Sequence, residues 1–229
     1  MKRESRYNHV TVSLHQSLLL FCAFSCLLCM VRVVMTGERS FLFMIWNLAL
    51  AFVPYAISGY LTESGRVLSK MKSVMLIAGW LLFVPNSFYL LTDLFHLSKF
   101  GDVPQWFDLL LLLSFALSGM LLGIVSLRRV EVYVEKWRGS SFTIPFVIGV
   151  MFLNALGVYL GRYLRFNSWD VFMQPVSLFQ ELAHLILNPL DNALEWGMVC
   201  SYTAFMALTY LTIRKLAESF YSSAKKQSS

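Results

Sequence analysis

The sequence contains little charge, since Asp, Glu, Lys and Arg make up only 14% of its 229 residues. An ordinary soluble domain has about 25% of these residues. Hydrophobic residues make up 57% of the chain, and the mean hydropathy is +0.62. This balance excludes a soluble enzyme or a nucleic-acid-binding domain as the main interpretation, and it predicts a polytopic membrane protein.

Several catalytic and cofactor motifs are also absent. The chain has no Gly-rich phosphate loop, no Gly-x-Ser-x-Gly turn and no His-Glu-x-x-His sequence, which removes the common nucleotide-binding, serine-hydrolase and zinc-protease signatures. The short alternating segments of a transmembrane β-barrel are missing as well. Cysteine is scarce, and three of the four cysteines lie in the first apolar run, so we expect small packing residues rather than disulfides.

Long apolar runs are what the sequence has instead. A helix needs about 20 apolar residues to cross about 30 Å of hydrocarbon, and helices satisfy their own backbone groups in lipid. The first run follows basic residues but lacks a small-x-small cleavage site, so we expect a retained helix rather than a signal peptide. The six predicted spans are residues 18–35, 41–61, 74–91, 106–127, 142–161 and 193–213.

A seventh, shorter helix is predicted between the fifth and sixth spans. Polar residues recur there at steps of three and four between Pro175 and Pro189, with apolar residues filling the remaining positions. This pattern is typical of an amphipathic helix on a membrane surface. The predicted fold class is therefore an all-α polytopic membrane protein with six transmembrane helices plus one outer amphipathic helix. It forms a single membrane domain over residues 1–229.

Positive charge is sorted along the chain. Most of the 19 lysines and arginines fall in alternate connections and in both tails, which predicts that the tails, residues 1–17 and 214–229, are cytoplasmic. The net charge of +6 then suits anionic lipid headgroups on the cytoplasmic face, and it does not indicate nucleic acid. The sorted residues are Lys2, Arg3, Arg6, Arg66, Lys70, Lys72, Arg128, Arg129, Lys136, Arg138, Arg214, Lys215, Lys225 and Lys226.

The densest group of polar residues begins in the third span. Asn86, Tyr89, Asp93 and His96 are spaced three, four and three residues apart, so they share one helix face that must look toward protein or water. Pro85 frees a backbone carbonyl one turn earlier, which Asn86 is placed to bond, unless it bonds a neighbouring helix. This face is the first candidate site.

The stretch 85–96 resembles the signature of a family of uncharacterised bacterial integral membrane proteins, a domain of unknown function with a Pro-Asn-x-x-Tyr-x-x-Thr-Asp-x-x-His core. Two further blocks, 106–108 and 157–170, fit the same family, and the resemblance covers roughly residues 75–200. The resemblance implies a multi-pass protein of the bacterial cytoplasmic membrane. It implies no particular activity.

Charged residues of both signs are expected near the outer interface, because the predicted topology brings the ends of several spans to that depth. An unpaired charge there is costly, so carboxylates and guanidiniums should pair. Two interpretations remain open, a structural belt of ion pairs and an outward-facing polar pocket. The candidate substrate-binding residues are Asn86, Tyr89, Asp108, Arg162, Arg165 and Asp170.

Two carboxylate–histidine pairs provide candidate catalytic groups. Asp93 and His96 are three residues apart, as are Glu181 and His184 on the amphipathic helix. This spacing places both side chains of a pair on one side of a helix, as carboxylate-x-x-His metal sites require. The four residues are candidates for a divalent transition-metal site, or for general acid and base groups without a metal.

These features predict an integral membrane protein of unknown activity with an outward-facing polar pocket. The pocket would bind an anionic or lipid-linked envelope substrate. An enzyme would also process that substrate. A small-solute transporter is an alternative, because Pro85 and Asn86 suit a broken helix. A non-catalytic scaffold or assembly protein is another. The lipid bilayer is the predicted partner, while the substrate and the oligomeric state stay open.

Overall fold

The structure is a computed structural model that describes residues 13–63, 69–97 and 103–227, and all regular structure among these residues is helical. Two short 3-10 helices, Leu90–His96 and Ser140–Phe142, accompany the α-helices. The α-helices are α1 (Leu14–Thr36), α2 (Phe43–Glu63), α3 (Lys70–Tyr89), α4 (Gln105–Arg138), α5 (Thr143–Arg162), α6 (Asp170–Met173), α7 (Pro175–Leu187) and α8 (Ala193–Gln227).

Six of the described helices, α1 to α5 and α8, are long and apolar enough to cross a membrane. This confirms the predicted fold class, and α7 coincides with the predicted amphipathic helix. α4 and α8 are longer than the apolar windows suggested, so residues 214–227, expected in a tail, are helical. The basic residues Lys2, Arg3, Arg6 and Arg66 and residues 1–12 of the predicted N-terminal tail lie outside the described residues.

Local sequence explains where the helices begin and end. Ser13 and Gln16 form a reciprocal capping box at the start of α1, and the Ser69 side chain caps α3, which satisfies backbone N–H groups that lack helical partners. Gly37 ends α1 in the left-handed conformation, with φ of 71°, where glycine has no steric penalty. Pro175 occupies the first turn of α7, where its missing N–H costs nothing.

The long helix α4 lies at the centre of the bundle. It packs against α1, α2 and α3, while α3 also packs against α2 and α5, and α5 packs against α8. We call the end where α1, α3 and α5 finish the site end, and the opposite end the basic end. One buried apolar cluster joins α3, α5 and α8 to the second half of α4, and another joins α1 and α2 to its first half.

Close approach holds α3 against two of its neighbours, α4 and α5. A Cβ atom added at Gly119 in α4 would lie 2.6 Å from the carbonyl oxygen of Ser87, and one at Gly157 in α5 would lie 2.7 Å from Cγ of Pro85. Gly119 and Gly123 of α4 form one Gly-x-x-x-Gly motif, and Gly157 and Gly161 of α5 form another. Both motifs pack against the α3 segment of this chain, as small-residue packing in membranes requires. The middle of α3 is fixed on two sides.

Substituting Gly157 tests this packing. We expect Gly157→Ala to lower the melting temperature in detergent, because the new methyl group would push Pro85 and separate α3 from α5. The matched control is Gly149→Ala on the same helix, where a Cβ meets nothing within 4 Å and alanine favours the helix by about 1 kcal/mol. Equal melting temperatures for the two variants would contradict the close contact.

A buried carboxylate joins α4 to α8 near the basic end. Glu131 accepts hydrogen bonds from Arg128 at 2.7 Å and from Arg214 at 2.5 Å, and the Tyr210 hydroxyl donates to the same carboxylate. Its side chain is fully buried. A buried charge needs such complete pairing, so the cluster fixes the position of α8 on the bundle.

Candidate functional site

The third span changes geometry before it ends, and this change positions the candidate acid. The α-helix stops at Tyr89, and residues 90–96 form a 3-10 helix, which has three residues per turn. Asp93 and His96 are therefore aligned along one edge of this segment. The sequence predicted an α-helical face for both. In the tighter 3-10 turn, their side chains point in more nearly the same direction than they would in an α-helix.

Asp93 is the centre of a polar cluster that joins three helical segments. Its fully buried side chain accepts a hydrogen bond from Arg162 Nη1 at 3.3 Å and another from Asn47 Nδ2 at 3.3 Å. Nδ1 of His96 lies 3.1 Å from the Asp93 carbonyl oxygen and 3.4 Å from Arg162 Nη2. The predicted pairing of a carboxylate with a guanidinium is confirmed for Asp93 and Arg162.

Aromatic rings surround the guanidinium of Arg162. Its central carbon lies 5.5 Å from the ring centre of Phe95 and 6.0 Å from that of Tyr89, within the range of cation–π attraction. Only 16% of the Arg162 side chain is exposed. The ion pair with Asp93 and the contacts with these rings hold the guanidinium in place at the site end of the bundle.

The segment after α5 is folded back over this cluster. Asn86 Nδ2 donates to the hydroxyl of Ser168 at 2.9 Å and to the carbonyl oxygen of Phe83 at 3.0 Å. Asn86 therefore bonds a carbonyl of its own helix and a hydroxyl in the turn after α5. The predicted partners, the carbonyl one turn before Pro85 or a neighbouring helix, are not the ones observed. Asp170 accepts from the backbone N–H of Asn167 at 2.6 Å. Because Asp170 bonds the backbone of this turn, it stabilises the conformation of the segment that follows α5.

Arg165 has an unusual backbone in this segment. Its φ is 60°, and no other described non-glycine residue has a positive φ. The left-handed conformation costs about 1–2 kcal/mol for a residue with a Cβ atom. The backbone N–H of Phe166 donates to the carbonyl oxygen of Leu160 at 3.1 Å, which helps to hold the turn. Arg165 is exposed and borders the cavity described next.

A cavity of about 950 Å³ lies between α2, α3 and α5, beneath the 165–171 segment and α7. Volumes of 300–1,000 Å³ are usual for ligand sites. Its polar lining gathers at the site end, and its apolar lining extends along α3 and α5. The polar and charged lining residues are Asn47, Asn86, Tyr89, His96, Arg162, Arg165, Asn167 and Ser168.

Helix α7 presents three different faces. Leu178 and Leu182 line the cavity, and Leu185 is buried, with its carbonyl oxygen accepting a hydrogen bond from Trp196 in α8. A second face exposes large apolar side chains such as Phe179, and a third carries the polar residues. An in-plane helix at a membrane interface has this combination of apolar and polar surfaces. α7 therefore covers the site end of the cavity.

The remaining predicted site residues lie elsewhere. Asp108 pairs with Arg32 through contacts of 2.7 and 3.3 Å inside the α1–α2–α4 cluster, and it does not border the cavity. Glu181 and His184 are exposed on α7 and are not among the cavity-lining residues. Within the described ranges, no three His, Cys, Asp or Glu side chains are grouped to hold a metal ion.

Sequence reasoning missed Asn47 and Arg32 as partners of the two carboxylates. Asn47 had no local signal, because its partner Asp93 is 46 residues away. Arg32 did have one, since an ionisable residue within a predicted span needs a partner or a function. Its guanidinium also lies 4.3 Å from the centre of the Phe41 ring.

The fold and the polar cluster at the site end define a polytopic α-helical membrane protein. The chain belongs to DUF1361, a family of proteins of unknown function whose model matches residues 46–209. The matched region contains the cavity-lining residues, and it confirms the family resemblance noted from the sequence. Searches of curated proteins and of solved structures found no match.

Proposed function

We propose that this protein binds the anionic headgroup of a lipid or lipid-linked envelope substrate in the cavity at the site end. The positive-inside pattern supports a placement with both termini in the cytoplasm, which puts the cavity at the outer face of a bacterial cytoplasmic membrane. The exposed apolar surface of α7 supports contact with the lipid there. The basic end would then meet the anionic headgroups of the cytoplasmic leaflet.

The observation that carries the proposal is the position of Arg165. Among the described residues that border the cavity, Arg162 is already paired with Asp93, whereas no carboxylate of the described chain pairs with Arg165. A backbone strained into the left-handed region is typical of a functional position. A guanidinium binds phosphate or carboxylate oxygens bidentately, so Arg165 suits an anionic group.

The neighbouring residues have proposed roles of their own. Asn86, Tyr89 and Arg162 would complete the headgroup site with polar contacts. Asp93 and His96 stand beside it as the acid–base pair that a processing reaction would use. A metal is left out of the proposal, because Glu181 and His184 point to no shared site with Asp93 and His96 in the described residues.

Lipid binding tests this proposal. We expect Arg165→Gln to weaken the binding of dioleoyl phosphatidylglycerol at least tenfold, because one charge-assisted contact contributes about 1.5–3 kcal/mol. Binding is measured by native mass spectrometry of the detergent-solubilised protein. The matched control is Arg39→Gln, which removes an exposed arginine between α1 and α2 at the same end but outside the cavity.

Four outcomes decide between the candidate functions. Weaker binding in Arg165→Gln alone supports a headgroup site. Equal weakening in Arg39→Gln would mean a diffuse surface charge effect, and the proposal would be wrong. Unchanged lipid binding in both variants would favour the scaffold alternative, and uptake of a labelled solute by reconstituted protein would favour the transporter.

A further inference from the structure

The cavity continues beyond its polar end along one face of α3. Ala78, Leu81, Leu82 and Pro85 line it before Asn86, and steps of three and four residues keep them on one side of a helix. They form a floor that lies between α2 and α5. A polar headgroup would not bind in this apolar extension, so the extension suits an apolar part of a ligand.

The length of the extension is similar on both helices. From Ala78 to Asn86 is eight residues of α3, about 12 Å at 1.5 Å per residue. From Leu153 to Arg162 is nine residues of α5, about 13.5 Å. α3 and α5 both run toward the site end, so the two lengths describe one apolar extension of the cavity. We call this extension the α3–α5 groove. One leaflet of hydrocarbon is about 15 Å deep, which the groove nearly matches.

The deep end of the groove opens on the flank of the bundle. Ala78 is exposed, and Leu153 is 43% exposed. Both belong to helices that are long and apolar enough to cross a membrane, and in a bilayer this flank would face acyl chains rather than water. The contact of Gly157 with Pro85 holds α3 and α5 together at the level of the proline, and the groove runs past it to the polar end.

The arrangement of apolar and charged residues along the groove indicates which ligand it binds. The groove is apolar where the bilayer is apolar, and it ends at Arg165 and the polar cluster, where lipid headgroups lie. We propose that one acyl chain of a membrane lipid occupies the α3–α5 groove while its anionic headgroup reaches Arg165. The lipid enters sideways from its own leaflet and passes beneath α7. This inference rests on the proposed function and adds the source of the ligand, which is the bilayer and not the aqueous phase.

Blocking the groove without touching the headgroup site tests the inference. We expect Leu153→Trp to weaken binding of dioleoyl phosphatidylglycerol at least fivefold, because the indole would fill the deep end of the groove. Binding of water-soluble glycerophosphoglycerol, which carries the same headgroup without acyl chains, should stay unchanged. The matched control is Ile148→Trp, which changes an aliphatic residue of the same helix that is 47% exposed and lies outside the groove.

A second variant, Ala78→Leu, narrows the groove from the α3 side and should reproduce the effect. Equal weakening by Leu153→Trp and Ile148→Trp would overturn the inference. So would a finding that the lipid binds the unchanged chain no more tightly than glycerophosphoglycerol does. Failure of the proposed function would give a different result. Replacing Arg165 would then change the binding of neither phosphatidylglycerol nor glycerophosphoglycerol.

Discussion

Replacing Arg32 with methionine is expected to cost about 3–5 kcal/mol of stability. The side chains of Arg32 and Asp108 are 1% and 5% exposed, and they are joined at 2.7 Å. Removing the guanidinium leaves the carboxylate buried without its cation, and neither water nor lipid can replace it. Reversible unfolding by SDS, followed by the loss of helical circular dichroism, measures the change in free energy.

The double variant Arg32→Met with Asp108→Leu distinguishes pairing from side-chain volume. We expect it to recover most of the lost stability, because a buried ion pair can often be replaced by apolar residues with little loss. Arg39→Met, at an exposed arginine beyond the end of α1, serves as the control and should be neutral. An Arg32→Met protein as stable as this control would contradict the buried pair.

Replacing Arg162 with alanine should have a comparable effect on stability, about 3 kcal/mol. Asp93 is fully buried and would keep the Asn47 amide but lose its nearest cation. The same unfolding measurement applies. Removing both members of the pair, with Arg162→Ala and Asp93→Ala, should restore much of the stability, because no buried charge is then left alone.

Ligand binding separates a structural ion pair from a binding site. We expect the refolded double variant to bind phosphatidylglycerol at least tenfold more weakly than the unchanged chain, since the cavity has lost Arg162. A double variant that is stable and binds the lipid normally would show that the Asp93–Arg162 pair only holds the helices together. The headgroup site would then be limited to Arg165 and its polar neighbours.

The sequence predicted the helices well because lipid imposes a single requirement on a span, a long apolar run. The same requirement explains the errors at helix ends. Hydropathy measures how much of a helix is apolar, whereas α4 and α8 continue as polar helices to Arg138 and Gln227. The α7 helix was found from its own periodicity, and its start at Pro175 agrees with the structure.

Candidate site residues were predictable when they share one helix and unpredictable when they meet across the chain. Asn86, Tyr89 and His96 were found together because they are regularly spaced, and all three border the cavity. Asp108 was grouped with them by depth alone, and depth cannot say which side of a helix bundle a residue faces. Its partner Arg32 shows that Asp108 forms a buried ion pair away from the cavity.

The distance along the chain between Asp93 and Arg162 also sets the order in which the site is assembled. The two residues are 69 positions apart, so a ribosome releases Asp93, just after α3, long before it releases Arg162 at the end of α5. α7, which covers the cavity, follows later still. A nascent chain that has reached only α4 therefore has the floor of the groove but neither its arginines nor its cover.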